Sequence, residues 1–128
     1  MKQIKYIFFD FDGVMTDNRV LVTENGKEAV FCNRADGIGV EMLRKAGYKM
    51  MIISTETNKI VRARAKKLKI PVINGVIDKK STLTKLCEKA KISLNKVCYV
   101  GNDINDLDAM RLVGLKIAPH DAHPCILE

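Results

Sequence analysis

Tyr6-Ile7-Phe8-Phe9-Asp10-Phe11-Asp12-Gly13-Val14-Met15-Thr16-Asp17 is the stretch from which the rest of the chain is read. Its four leading apolar residues suit a strand buried on both faces. Two carboxylates follow at a spacing of two, so both side chains leave the strand end on the same side. Like charges that close repel and need a cation or a proton between them; their hard oxygens favour Mg²⁺ over softer metals. Gly13 lets the backbone turn tightly after the pair. Taken alone, the pair also suits an acidic loop or a structural calcium site.

Outward from this stretch, strand and helix signals alternate. Met50 to Ile53, Val97 to Val100 and Leu115 to Ile117 are short apolar runs of the kind buried on both faces, and Val72-Ile73 after Pro71 adds a shorter one. Helical patterns run from about Gly37 to Ala46, Asn58 to Leu68, Ser81 to Ala90 and Asn105 to Leu112, with Asp36, Thr57 and Ser81 as caps. This alternation predicts an α/β fold, a Rossmann-like doubly wound parallel sheet with right-handed crossovers. Val20 to Thr23 and Lys27 to Phe31 flank Glu24-Asn25-Gly26, a hairpin signal. A β-hairpin flap is therefore expected beside the carboxyl ends of the strands, where ligands bind in open α/β sheets. No other insertion leaves room for a cap domain, and 1–128 reads as a single domain.

Composition narrows the function classes. The net charge of +7 is spread along the chain and aromatics are 5% of residues, so stacking platforms for nucleic acid are scarce. The densest basic run, Arg62 to Lys69, reads as the solvated face of a helix whose apolar side carries Ile60, Val61, Ala65 and Leu68. Positive charge can instead steer an anionic substrate. No apolar run approaches the roughly 20 residues of a membrane span, and the start, Met1-Lys2-Gln3-Ile4-Lys5, is not a signal peptide, so a cytoplasmic location is expected. Cys32, Cys87, Cys98 and Cys125 lack metal-ligand spacing and are expected as thiols, with Cys87 and Cys98 in the core.

The string Phe9 to Asp17 resembles the DxDGVxTD signature that opens phosphatases of the haloacid dehalogenase superfamily. That resemblance implies Asp10 as the nucleophile that takes the phosphoryl group, Asp12 as general acid and base, and Mg²⁺ as cofactor. A phosphoryl group in transfer spreads charge over its equatorial oxygens, so catalysis is mostly in-line positioning plus cationic stabilisation. A carboxylate nucleophile divides the displacement into two easier steps. Ser54, after Met50 to Ile53, matches the family's second motif, a hydroxyl that binds a phosphate oxygen. In Asn74 to Lys80, Lys79 is the choice for the third motif, with Lys80 as rival. Gly101-Asn102-Asp103-Ile104-Asn105-Asp106 stands where the family carries Gly-Asp-Asp-x-x-Asp, so the implied metal set is Asp10, Asp12, Asn102 and Asp103 with Asp106 in support. An amide oxygen at 102 can bind Mg²⁺ but adds no charge.

The resemblance extends to Ala118-Pro119-His120-Asp121-Ala122-His123-Pro124 and is greatest to capless phosphatases of phosphorylated ulosonic acids. These act on 3-deoxy-manno-octulosonate 8-phosphate, or on 9-phosphates of sialic acid or its deaminated relative KDN; the module also occurs fused to acylneuraminate cytidylyltransferases. That branch implies a homotetramer with the hairpin as subunit contact. It also implies substrate-binding roles for Thr16, Thr55, Glu56, Arg34 and Asp36, with Arg64 as a partner for Glu56. Glu56 stands where octulosonate enzymes carry Arg, which leans toward nine-carbon acids. Relatives continue past the DAHP string into a helix and a Gly-rich tail bearing an Arg, whereas this chain stops at Ile126-Leu127-Glu128. His120 and His123 are too isolated for a metal site. Two other readings compete: a catalytically weak or inactive module with a regulatory or assembly role, suggested by Asn102, and a receiver domain, whose phospho-Asp would follow a later strand.

Overall fold

The structure, a computed structural model, describes residues 3–128. Met1 and Lys2, which open the stretch read above as not a signal peptide, lie outside the described residues. The elements follow in the order β1 (Tyr6–Phe9), β2 (Leu21–Val22), β3 (Glu28–Ala29), α1 (Ala35–Lys45), β4 (Lys49–Ile53), α2 (Ile60–Leu68), β5 (Val72–Ile73), α3 (Lys79–Ala90), β6 (Val97–Val100), α4 (Leu107–Met110), β7 (Leu115–Ile117) and α5 (Pro124–Leu127). Five strands form one parallel sheet in the order β5-β4-β1-β6-β7, with Phe9 paired to Ile52 on one side and to Val100 on the other. The chain leaves β1 toward β4 and β5, then crosses back to β6 and β7. The switch point between β1 and β6 is where open α/β sheets gather ligands.

Alternation along the strands divides the core between the two faces. Ile7, Met50, Ile52 and Cys98 pack with Val40 of α1 and Val61, Ala65 and Leu68 of α2. Phe8, Ile53, Val97 and Tyr99 pack with Leu83 and Cys87 of α3 and Ala109 and Met110 of α4. Cys87 and Cys98 are core thiols as expected. The basic stretch of α2 behaves as read: Val61, Ala65 and Leu68 are buried while Arg62, Lys66 and Lys67 are exposed.

Several local expectations are corrected. The side chains that satisfy the helix starts are not Asp36, Thr57 and Ser81. Asn33 Oδ1 accepts from Ala35 N (2.8 Å) at the start of α1, and Asn58 Oδ1 accepts from Ile60 N (3.0 Å) at the start of α2. Asp78 accepts from Ser81 N (3.1 Å), so α3 begins two residues early, at Lys79. Each is a short Asx side chain that reaches an orphan helix N–H, the commonest chemical solution to that deficit. The segment expected as one helix from Asn105 splits into a 3₁₀ turn, Ile104–Asp106, and α4. Strand β7 is not buried on both faces: it is the sheet edge, with Leu115 and Ile117 nearly half exposed.

The hairpin forms, but with two-residue strands, Leu21 opposite Ala29 and Val22 opposite Glu28. It is anchored at its base by an antiparallel bridge between Thr16 and Cys32. It is the insertion between β1 and α1, and no cap domain interrupts the described residues. Among them, no helix is long and apolar enough to cross a membrane.

Candidate active site

Asp10 is the first residue past β1, held by its own N–H donating to Val100 O (2.9 Å), so the sheet ladder itself fixes where its carboxylate stands. It is almost fully buried. Lys79, at the first position of α3, donates from Nζ to Asp10 Oδ1 and to Asp106 Oδ1, both at 2.8 Å. Lys79 is only 2% exposed, whereas Lys80 is exposed, so of the two lysines it is Lys79 that meets Asp10. Burial raises the pKa of Asp10, against the opposing pull of the Lys79 ammonium, to about 7. Burial also works against the charged Lys79, but Asp10 and Asp106 outweigh it and raise its pKa. The pair is therefore a desolvated ion pair whose members depend on each other.

Asp106 organises this site. Fully buried, it accepts from Lys79 and from Tyr99 Oη (2.8 Å) on Oδ1, and from the backbone N–H groups of Asn102 (3.1 Å) and Asp103 (3.2 Å) on Oδ2. Through these bonds it shapes the loop that carries Asn102 and Asp103. A Cβ at Gly101 would lie 2.8 Å from the Asp106 side chain, which explains why only glycine lets the loop close on this carboxylate. Tyr99, buried and bonded to Asp106, has its pKa raised by burial first and then by Asp106.

A cavity of about 250 Å³ opens over the strand ends, lined by Asp10, Asp12, Thr55, Glu56 and Asp103 together with hairpin residues that include Val20 and Glu28. Asp12 is half-buried, and burial raises its pKa, with Lys79 opposing and Glu28 assisting. Ser54 is the first residue past β4, buried at 1% exposure, with Oγ accepting from Glu56 N (3.1 Å), which leaves its hydroxyl proton free to donate. Thus Asp10, Asp12, Thr55, Glu56 and Asp103 share one cavity, whereas Ser54 and Lys79 are buried and do not line it, Lys79 being joined to it through its bond to Asp10.

Other candidates stand elsewhere. Thr16 does not line this cavity: its Oγ1 accepts from Gly13 N and Asn18 N, both 3.1 Å, and shapes the loop after the carboxylates. Arg34 and Asp36 line a separate hollow with Thr16 and Phe31. Arg64 is not the partner of Glu56. It donates from Nη2 to Asn33 O (2.9 Å), while its buried Nε has no partner among the described residues. Glu56 instead accepts from Asn58 Nδ2 (3.2 Å), which also reaches Glu28 Oε1 (3.4 Å). Burial, then Asp12 and Glu28, raises the pKa of Glu56. Asn18, Arg19, Glu28, Asn58 and Asn105 also line the cavity and were not singled out from the sequence. The hairpin signal could have pointed to Glu28, as a residue on a strand beside the site; the amides carry no such signal.

Whether the residues present suit a cation is answered by Asn102. It is 5% exposed, and its Oδ1 is buried without a hydrogen-bond partner among the described residues. Its side chain lies over Gly13, at φ +86°, where an added Cβ would come 1.9 Å from Nδ2. That contact brings the amide against the loop carrying Asp10 and Asp12. No three His, Cys, Asp or Glu side chains are grouped to hold a metal among the described residues. The physical reason is plain: the loop contributes an amide at 102, and Asp103 turns outward with Oδ1 capping Ile104 N (2.7 Å). An orphaned, buried hard oxygen on a side chain packed against the turn that follows Asp10 and Asp12 nevertheless fits Mg²⁺, which takes few protein carboxylates and keeps positions for substrate oxygens. His123 is engaged locally: its Nδ1 accepts from Cys125 N and its own N–H donates to Asn102 O (2.7 Å).

Comparison with known proteins agrees with this geometry. Residues 46–128 match the haloacid dehalogenase-like hydrolase family. The chain is 32% identical over 127 residues to the 3-deoxy-D-manno-octulosonate 8-phosphate phosphatase of Escherichia coli strain K12, covering 98% of this chain and 68% of that protein. A crystal structure named for the same hydrolase family, from Streptomyces avermitilis MA-4680, superposes with a TM-score of 0.93 at 47% identity, covering 97% of this chain and 71% of that one. The 3-deoxy-D-manno-octulosonate 8-phosphate phosphatase of Moraxella catarrhalis, solved with magnesium, phosphate and KDO, superposes with a TM-score of 0.91 at 32% identity, covering 98% and 72%. By the order of its carboxylates, its buried lysine and these likenesses along almost its whole length, the chain belongs to the haloacid dehalogenase-like hydrolases, among relatives that are phosphatases.

Proposed function

We propose that the chain is a Mg²⁺-dependent phosphatase of phosphorylated ulosonic acids, a single domain using Asp10 as nucleophile. The observation that carries this is the buried Lys79 ammonium bridging Asp106 and Asp10 at 2.8 Å, with Asp10 lining the same cavity as Asp12. A carboxylate braced on one oxygen by an ammonium presents the other for in-line attack on phosphorus. The P–O bond to the sugar breaks as the Asp10–phosphorus bond forms, and Asp12 protonates the leaving alkoxide. Asp12 then takes a proton from water as water displaces Asp10 from the aspartyl phosphate. Burial raises the pKa of Asp12, which suits a carboxyl group that must both give and accept a proton. Asp10, Asp12, Asn102 and Asp103 would hold Mg²⁺, which supplies charge neutralisation for the phosphate oxygens. Ser54 donates to one of those oxygens.

The rest of the cavity supports the substrate class. Glu28 and Glu56, both bonded by Asn58, place acceptors beyond the phosphate end. Such a wall favours hydroxyls and repels a carboxylate. An ulosonic acid phosphorylated at its far end separates phosphate from carboxylate by a hydroxylated chain and satisfies both demands. The E. coli and Moraxella relatives are named for octulosonate 8-phosphate, whereas the resemblance carried by Glu56 leans toward nine-carbon acids. Phosphate release from 3-deoxy-manno-octulosonate 8-phosphate, KDN 9-phosphate and N-acetylneuraminate 9-phosphate tests the class directly. We expect at least one of these to turn over well above a simple alkyl phosphate; no preference over the alkyl phosphate overturns the substrate class.

Assembly as a homotetramer belongs to the same proposal. Val20, Leu21 and Val22 on the hairpin are each more than half exposed, and Phe31 is 74% exposed, an apolar strip suited to a subunit contact beside the cavity. Light scattering is expected to report the mass of four chains, and a monomer at micromolar concentration overturns this.

A further inference from the structure

We infer that Mg²⁺ and the phosphate dianion bind this chain as a coupled pair, because neutral Asn102 leaves the metal short of charge until the dianion arrives. The inference rests on the phosphatase reading and extends it to the order in which the site fills. Asp10, the buried carboxylate at the centre, already has its charge offset by Lys79 at 2.8 Å. Asp106 shares that ammonium and directs its oxygens to Tyr99 and the loop N–H groups, so it offers the cation nothing. Asp103 lies at the exposed rim with one oxygen occupied as a cap.

What remains is the Asp12 carboxylate, which lines the cavity and is committed to proton transfer, and the buried Asn102 carbonyl, a dipole rather than a charge. Asn102 cannot swing aside. Its backbone is tied on both sides, by Asn102 N donating to Asp106 Oδ2 (3.1 Å) and His123 N donating to Asn102 O (2.7 Å). Its Nδ2 is packed against Gly13. The oxygen is thus held in place, buried and without a donor, pre-organised for a cation it attracts only weakly. A dication leaves water for such a shell with little Coulomb compensation, and a bound phosphate supplies two negative charges at once. Linkage then requires each ligand to raise the affinity of the other by the same factor.

Calorimetry reads this without turnover, using magnesium chloride and inorganic phosphate as the probes. In the native chain, saturating phosphate is expected to raise Mg²⁺ affinity about tenfold or more, and saturating Mg²⁺ to raise phosphate affinity by the same factor. Asn102→Asp is expected to raise the phosphate-free Mg²⁺ affinity by about tenfold and to shrink the coupling factor, since the added carboxylate replaces charge the dianion otherwise supplies. Asn102→Ala is expected to weaken Mg²⁺ binding with and without phosphate, which separates ligation by the amide from a loop defect when circular dichroism is unchanged. Equal Mg²⁺ affinity with and without phosphate, or an Asn102→Asp chain with unaltered metal affinity, overturns the inference and leaves the phosphatase reading standing. A native chain that neither binds Mg²⁺ nor releases phosphate from any ester overturns both.

Discussion

Asp10→Asn is expected to lose phosphate release by about a thousandfold or more while resisting urea at least as well as the native chain. The two halves of that result have separate causes. An amide keeps the size of the carboxylate and its place at the end of β1, where Asp10 N donates to Val100 O, so the sheet is undisturbed. It cannot attack phosphorus, and a thousandfold loss corresponds to about 4 kcal/mol of transition-state stabilisation. On the stability side, burial raises the pKa of Asp10 to about 7, meaning that the folded chain disfavours the charged form near neutrality. Asparagine removes that penalty, and Lys79 keeps Asp106 as its ion-pair partner at 2.8 Å. Phosphate release and urea unfolding on the same preparation check both. Turnover retained in this variant would remove Asp10 from the role of nucleophile; a collapse in stability would mean that the Asp10–Lys79 pair, not the chemistry, is what the position serves.

Much of the frame could be read because it depends on local signals. Tyr6–Phe9, Val97–Val100 and Leu115–Ile117 are strands where the apolar runs place them, and the hairpin forms where Asn25-Gly26 announces it. Asp10, Asp12 and Lys79 converge because each follows a strand or opens a helix at the same edge of the sheet. The edge position of β7 was not legible, because a buried strand and an edge strand with apolar residues share the same pattern; strand order is decided by the crossovers, not by the strand. Nor was the partner of Glu56. Arg64 lies at a reasonable sequence distance, but α2 turns it toward Asn33, and the nearer Asn58, already oriented by its bond to Ile60 N, takes the carboxylate instead. Helix caps were misplaced by one to three residues for a related reason: Asn33, Asn58 and Asp78 compete with neighbouring Asp, Thr and Ser, and only the backbone path decides which side chain faces the free N–H.

Asp106→Asn is expected to damage both folding and catalysis although Asp106 never reaches the cavity. The carboxylate accepts four bonds, two on each oxygen, from Lys79, Tyr99, Asn102 N and Asp103 N. An amide has one acceptor oxygen. With that oxygen toward Lys79 and Tyr99, its NH₂ faces the two loop N–H groups; reversed, it faces an ammonium and a hydroxyl. Either orientation sets donors against donors at a fully buried position, at a cost of about 3 kcal/mol or more. The loop carrying Asn102 and Asp103 would then lose its anchor, and Lys79 would shift fully onto Asp10, so we expect turnover to fall roughly a hundredfold, the scale of misplacing a catalytic group. Tyr99→Phe is the control that separates crowding from charge: it removes one donor, leaves the other three, and is expected to cost about 1 kcal/mol with turnover within a few-fold of native. Urea midpoints and phosphate release measured for both variants decide the matter. Should Asp106→Asn unfold and turn over like the native chain, the loop and Lys79 must be held by the strand ends alone, and the organising role assigned to this carboxylate fails.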